Sequence, residues 1–158
     1  MKNSKTIVVF AVSLLAALAA LTHALSKGAK PVRADSERNG QLHITKLCTA
    51  YNFMAGGHCT IATSNVPQLP HGTTVYYDQA AGTPAGFLDS NVMLVVASGD
   101  WAVGRCTVEA ATGKGLCTVT DGVGPLAGFS ARINVVIAAG GEPTYWDGTY
   151  SIEDLDNR

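Results

Sequence analysis

The chain has 158 residues, the size of a single domain, with a formal net charge of −1. Only 15% of its residues are charged, and no basic stripe runs along it. This excludes nucleic acid and anionic membrane surfaces as expected partners.

Met1-Lys2-Asn3-Ser4-Lys5 is a short positive stretch, and residues 6–21 form an apolar run. Thr22-His23-Ala24 has small residues at the −3 and −1 positions of a cleavage site. This is the layout of a secretory signal peptide, expected over 1–24. Sixteen residues fall short of the ~20 that span a bilayer, so no stable membrane anchor is expected after cleavage. Loss of Lys2 and Lys5 leaves 9 Lys+Arg against 12 Asp+Glu, a net charge of −3 over 134 residues. Residues 25–40 have little apolar content and read as a flexible linker.

From Gln41 onward no window carries the helical period with caps. Short β-branched runs recur instead, broken by Gly, Pro, Asn and Asp. The expected strands are 42–50, 58–64, 73–79, 91–98, 101–110, 116–121, 127–138 and 144–152, leaving 153–158 as a tail. Eight strands at this spacing predict an all-β fold. The expectation is a single eight-stranded antiparallel β-barrel over 41–152, whose closure removes exposed strand edges.

Two cysteine units share one layout: Cys48-Thr49-x9-Cys59-Thr60 and Cys106-Thr107-x9-Cys117-Thr118, offset by 58 residues. Two hairpins of one sheet explain the match more simply than a duplication. In the second, residues 111–115 (ATGKG) supply turn chemistry. A turn centred between Ala111 and Thr112 makes paired residue numbers sum to 223, which sets Cys106 opposite Cys117. By internal analogy Cys48 pairs with Cys59, although 51–54 (YNFM) is a poor turn sequence. Four cysteines allow three connectivities, and spacing alone does not exclude cross-unit pairing. The expected staples lie on one barrel wall and point to a secreted or periplasmic, oxidising location. Cys-x10-Cys is not a zinc spacing, so neither a metal nor a cofactor is expected.

Several stretches resemble the allene oxide cyclase barrel family and its dirigent-like relatives. They are Tyr76-Tyr77-Asp78-x3-Gly82, the segment 121–128 (DGVGPLAG) before a long strand, and Gly140-Gly141-x3-Tyr145 with Gly148-Thr149-Tyr150. The resemblance implies an eight-stranded antiparallel barrel with a ligand cavity. The family includes plant cyclases, dirigent proteins that steer radical coupling, and bacterial secreted proteins. The plant cyclases are thought to use a carboxylate from an early strand, whereas 42–50 contains no Asp or Glu. Glu142-Pro143 also stands where small residues are usual. The cyclase mechanism therefore does not carry over residue by residue.

Candidate ligand contacts come from polar residues on the strands. On the seventh strand Phe129, Ala131, Ile133, Val135 and Ile137 share the face expected to point inward. Arg132 and Asn134 then lie outside or at a subunit contact, unless the faces are reversed. Arg105 and Glu109 form a polar strip that either polarises a ligand carbonyl or sits at the surface. Of Tyr76 and Tyr77 one faces inward, and Asp78 shares the face of Tyr76. Trp101 and Trp146 read as core or rim packing. The expected function is a binding or structural module for a small apolar ligand, with homo-oligomers allowed. The alternatives are a cyclase- or isomerase-like enzyme steering a reactive apolar intermediate, and a dirigent-type orienting protein. No catalytic residue is singled out.

Overall fold

The computed structural model describes residues 38–153. The expected signal peptide, the linker up to residue 37 and the tail from residue 154 lie outside the described residues. Eight strands follow in order: β1 (Asn39–Leu47), β2 (His58–Ser64), β3 (Thr74–Tyr77), β4 (Phe87–Val95), β5 (Trp101–Glu109), β6 (Lys114–Gly122), β7 (Phe129–Ile137) and β8 (Thr144–Ile152). Each pairs antiparallel with its chain neighbours, and β8 returns to β1, closing the barrel. The eight-stranded antiparallel barrel expected from the sequence is therefore the fold.

Alternation builds the interior. On β7, Phe129, Ala131, Ile133 and Val135 are buried while Ser130, Arg132, Asn134 and Val136 are exposed. β1 follows the same rule, with Leu42, Ile44 and Lys46 inward. Several strand bounds differ from expectation, with β1 and β4 ending at Leu47 and Val95, three residues early, and the starts of the same two strands moved for tertiary reasons. β1 begins at Asn39, inside the expected linker, because β8 supplies partners as far as Ser151. β4 begins at Phe87, because the Asp89 and Ser90 positions pair with Thr107 and Cys106. The polar side chains of that stretch hid the strand. Thr107 and Arg105 hydrogen-bond Asp89, and Asp78 accepts from Ser90.

The β5–β6 register matches expectation, with Cys106 opposite Cys117 up to an irregularity between Val103 and Gly104. Both disulfides form as expected, Cys48–Cys59 and Cys106–Cys117. They do not share a wall. The β1–β2 and β5–β6 pairs lie half a circuit apart, so the staples brace opposite sides.

An up-and-down barrel places alternate connections at the same end. The β2–β3, β4–β5 and β6–β7 connections close one end, where Val66, Leu69 and Leu126 are fully buried. Leu126 belongs to a 3-10 turn, Gly124–Leu126. The other four connections frame the opposite end, which stays open.

Gly148 holds an inward position between Trp146 and Tyr150, where β8 coils hard against β7. A Cβ there would sit 2.0 Å from the Arg132 carbonyl oxygen. Gly148→Ala is expected to cost about 1–3 kcal/mol in urea unfolding, because backbone has to move to admit one methyl.

Candidate functional site: a buried lysine in the barrel mouth

Lys46 continues the inward phase of β1 after Leu42 and Ile44, and only 1% of its surface is exposed. Its Nζ donates to the Tyr77 hydroxyl of β3 at 2.6 Å. The same nitrogen lies 3.9 Å from the ring centroid of Trp146 on β8, which is itself fully buried. Three strands thus converge on one amine. Among the described residues no carboxylate lies within ion-pair distance of it, and the His43–Asp147 and Arg105–Asp89 pairs lie elsewhere.

These residues line a cavity of about 290 Å³ at the open end. Its walls are mostly apolar, with Leu88, Val108, Val135 and Ile137 joined by all four disulfide cysteines. The segment 48–57 forms one lip. Cys48–Cys59 ties it at its base, and the Tyr51 ring packs 5.2 Å from both Tyr77 and Phe53. At Gly57 a Cβ would come within 2.6 Å of the Tyr51 ring, so a larger residue there has to displace that ring. Glu142 of the β7–β8 connection accepts a hydrogen bond from the Cys48 amide at 2.5 Å, locking a second lip to the first.

Electrostatics follow from burial. Loss of solvent pushes the Lys46 ammonium down to about 7. The Trp146 face pulls the other way by favouring the cation. That pull is about 1–2 kcal/mol in a desolvated site, less than the burial penalty. Burial, reinforced by nearby Tyr51, pushes the Tyr77 phenol up, so it remains a neutral hydroxyl. Burial also raises Tyr51. Two more polar atoms of lining residues, Tyr51 Oη and Trp146 Nε1, are buried without a hydrogen-bond partner in the protein. The cavity thus combines an amine that titrates near neutrality, a phenol and two unsatisfied polar atoms within an apolar shell. It can recognise one polar group on an otherwise greasy molecule.

The residues singled out from sequence lie elsewhere. Tyr76 is 38% exposed, whereas Tyr77 is 4% exposed and is the inward member of the pair. Asp78 is exposed and accepts from Ser90 and Asn91. Desolvation is the largest single influence and raises its carboxyl, but the hydrogen bonds from Asn91 and Ser90, with nearby Arg105, together outweigh it and hold the group below the usual range. Arg105 pairs on the outer face with Asp89 at 2.7 Å and Asn91 at 3.1 Å. The hydroxyl of Thr107 and then Arg105 hold the Asp89 carboxyl low. Glu109 accepts from Thr112. Arg132 and Asn134 are exposed, and Arg132 borders a shallow outer depression with Thr118 and Ser130. None of these six candidates lines the cavity. Trp146 is core, as expected, and Trp101 is partly exposed on the outside.

Lys46 escaped because a charged side chain in a strand is read as outward-facing. The signal was present in the spacing Leu42, Ile44, Lys46, Cys48, where the lysine interrupts an inward row. Comparison with protein-family models, with curated proteins and with solved structures finds no match to this chain.

Proposed function

We propose that this barrel binds a small, largely apolar molecule in its open-end cavity and recognises one oxygen-bearing group through Lys46 and Tyr77. The observation that carries the reading is the buried lysine. A fully desolvated amine without a carboxylate partner costs the fold several kcal/mol, and a packed apolar interior would avoid that cost. The eight-stranded architecture with an apolar cavity is also what the resemblance to allene oxide cyclase-like and dirigent-like barrels implies, and we keep that kinship as part of the proposal. Two disulfides suit an oxidising compartment, in keeping with secretion or export to a periplasm. Among the described residues no helix is long and apolar enough to cross a membrane.

The reading is tested with the apolar reporter N-phenyl-1-naphthylamine. Its fluorescence should rise on binding with one-to-one stoichiometry and fall when octanol competes. Val135→Trp fills the cavity and should weaken binding about tenfold or more while the circular-dichroism spectrum stays that of the barrel. A reporter that does not bind, or that binds a folded Val135→Trp protein equally well, rules the cavity out.

A cyclase- or isomerase-like activity is a second reading, favoured by the Lys46–Tyr77 hydrogen bond. An amine and a phenol among apolar walls form an acid–base pair that can act on a bound apolar intermediate.

A further inference from the structure

We propose that Lys46 is the nucleophile of a carbonyl-capture site, where its Nζ forms a Schiff base with a small apolar aldehyde or ketone held in the barrel cavity. This deepens the binding reading above and rests on it.

The geometry has the parts such a step needs. The amine sits in a cavity of about 290 Å³ with mostly apolar walls, which selects the greasy body of a carbonyl compound. Nζ and the Tyr77 hydroxyl are 2.6 Å apart. A carbonyl carbon approaching Nζ therefore brings its oxygen within reach of a hydrogen-bond donor. No carboxylate pairs with the amine among the described residues, so only neutral groups, the Trp146 face and the Tyr77 hydroxyl, favour the ammonium. Burial supports the same conclusion by leaving a large neutral fraction near pH 7. That neutral amine is the reactive form.

The chemistry balances without a co-reactant. The Nζ lone pair forms a bond to the carbonyl carbon, and the carbonyl π pair moves onto oxygen. Tyr77 gives its proton to that oxygen and takes one from the now cationic nitrogen, leaving a neutral carbinolamine and an unchanged phenol. The nitrogen lone pair then forms the C=N bond as the C–O bond breaks. The oxygen leaves as hydroxide, which takes the remaining nitrogen proton to become water. The products are one imine and one water. When the imine is protonated, its cation lies over the Trp146 face, which favours it. Hydrolysis by the reverse path releases the ligand.

The experiment uses the oxidised, full-length protein with octanal and sodium cyanoborohydride near neutral pH, followed by peptide mapping. The expected result is a single N-octyl group on Lys46, formed about a hundredfold faster than on exposed Lys114. Its rate should saturate with octanal and fall when octanol is added. Tyr77→Phe should slow the reaction at Lys46 about tenfold to a hundredfold at saturating octanal. Lys46→Met should abolish this adduct and remain folded. If Lys46 reacts no faster than Lys114, or its rate rises linearly and ignores octanol, while the naphthylamine reporter still binds, Schiff-base capture is wrong and the binding reading stands. If the reporter also fails to bind, both are wrong.

Discussion

Replacing Lys46 by Met together with Tyr77 by Phe is expected to make the protein more stable at pH 6, by about 1–4 kcal/mol in urea unfolding. The reasoning begins with the lysine. Its pKa falls from 10.5 in the open chain to about 7 in the barrel. Below pH 7 both states carry the proton, and the fold bears the whole cost of burying it. Between pH 7 and 10.5 the unfolded chain binds the proton while the barrel does not, so native stability rises with pH across that window. The full shift corresponds to on the order of 5 kcal/mol. Trp146 and Tyr77 return part of it, because ring and hydroxyl both stabilise the cation. Removing the hydroxyl with the amine matters, since Lys46→Met alone strands a buried phenol.

The advantage of the double variant should therefore shrink steadily as pH rises from 7 towards 10. The other titratable groups lining the cavity are Tyr51 and Glu142, which both proteins keep. Urea titrations of the two proteins at matched pH values measure the difference directly. A constant difference over that range would mean that Lys46 does not titrate there.

The second large effect concerns the staples. Both disulfides close the same sequence separation of 11 residues. In the chain-entropy model each restricts the unfolded chain equally and stabilises by about 3 kcal/mol, an account that is model-dependent. Cys106→Ala with Cys117→Ala, and Cys48→Ala with Cys59→Ala, should thus cost similar amounts. Opening both would remove about 6 kcal/mol, comparable to the whole stability of a typical domain. The fully reduced protein should be substantially unfolded at 37 °C by circular dichroism. That dependence is the physical content of an oxidising location.

The two staples should differ in what they do to the cavity. Cys106–Cys117 joins paired strand residues that five further residue pairs of β5 and β6 also hold in the same register. Cys48–Cys59 lies just past the last β1–β2 pair, Leu47 with Thr60, at the base of the lip that carries Tyr51 and Phe53. Its loss should weaken reporter binding several-fold at a temperature where the barrel stays folded. Loss of Cys106–Cys117 should leave binding closer to wild type. Equal weakening by both would show that the lip does not need its own tether.

Local chemistry alone determined a good deal of this protein. Alternating apolar residues specify the strands because side chains of a strand point to opposite faces in turn, and β2 and β8 have the predicted bounds. Turn residues at 111–115 set the β5–β6 register, and with it Cys106 opposite Cys117. Both properties arise from residues near one another along the chain, so the sequence contains them. Tertiary structure decided the rest. Asp89 and Ser90 belong to a strand because Asp78, just past β3, and Arg105 and Thr107 of β5 satisfy their polar groups. Tyr77 rather than Tyr76 faces inward because β3 pairs with β2 and β4 in one phase. Lys46 is buried because closure of β8 onto β1 encloses its inward position within the barrel, and brings Tyr77 and Trp146 from strands far apart in sequence to meet it. A charge is read as exposed until a closed sheet encloses it, and that closure turned an unremarked lysine into the centre of the candidate site.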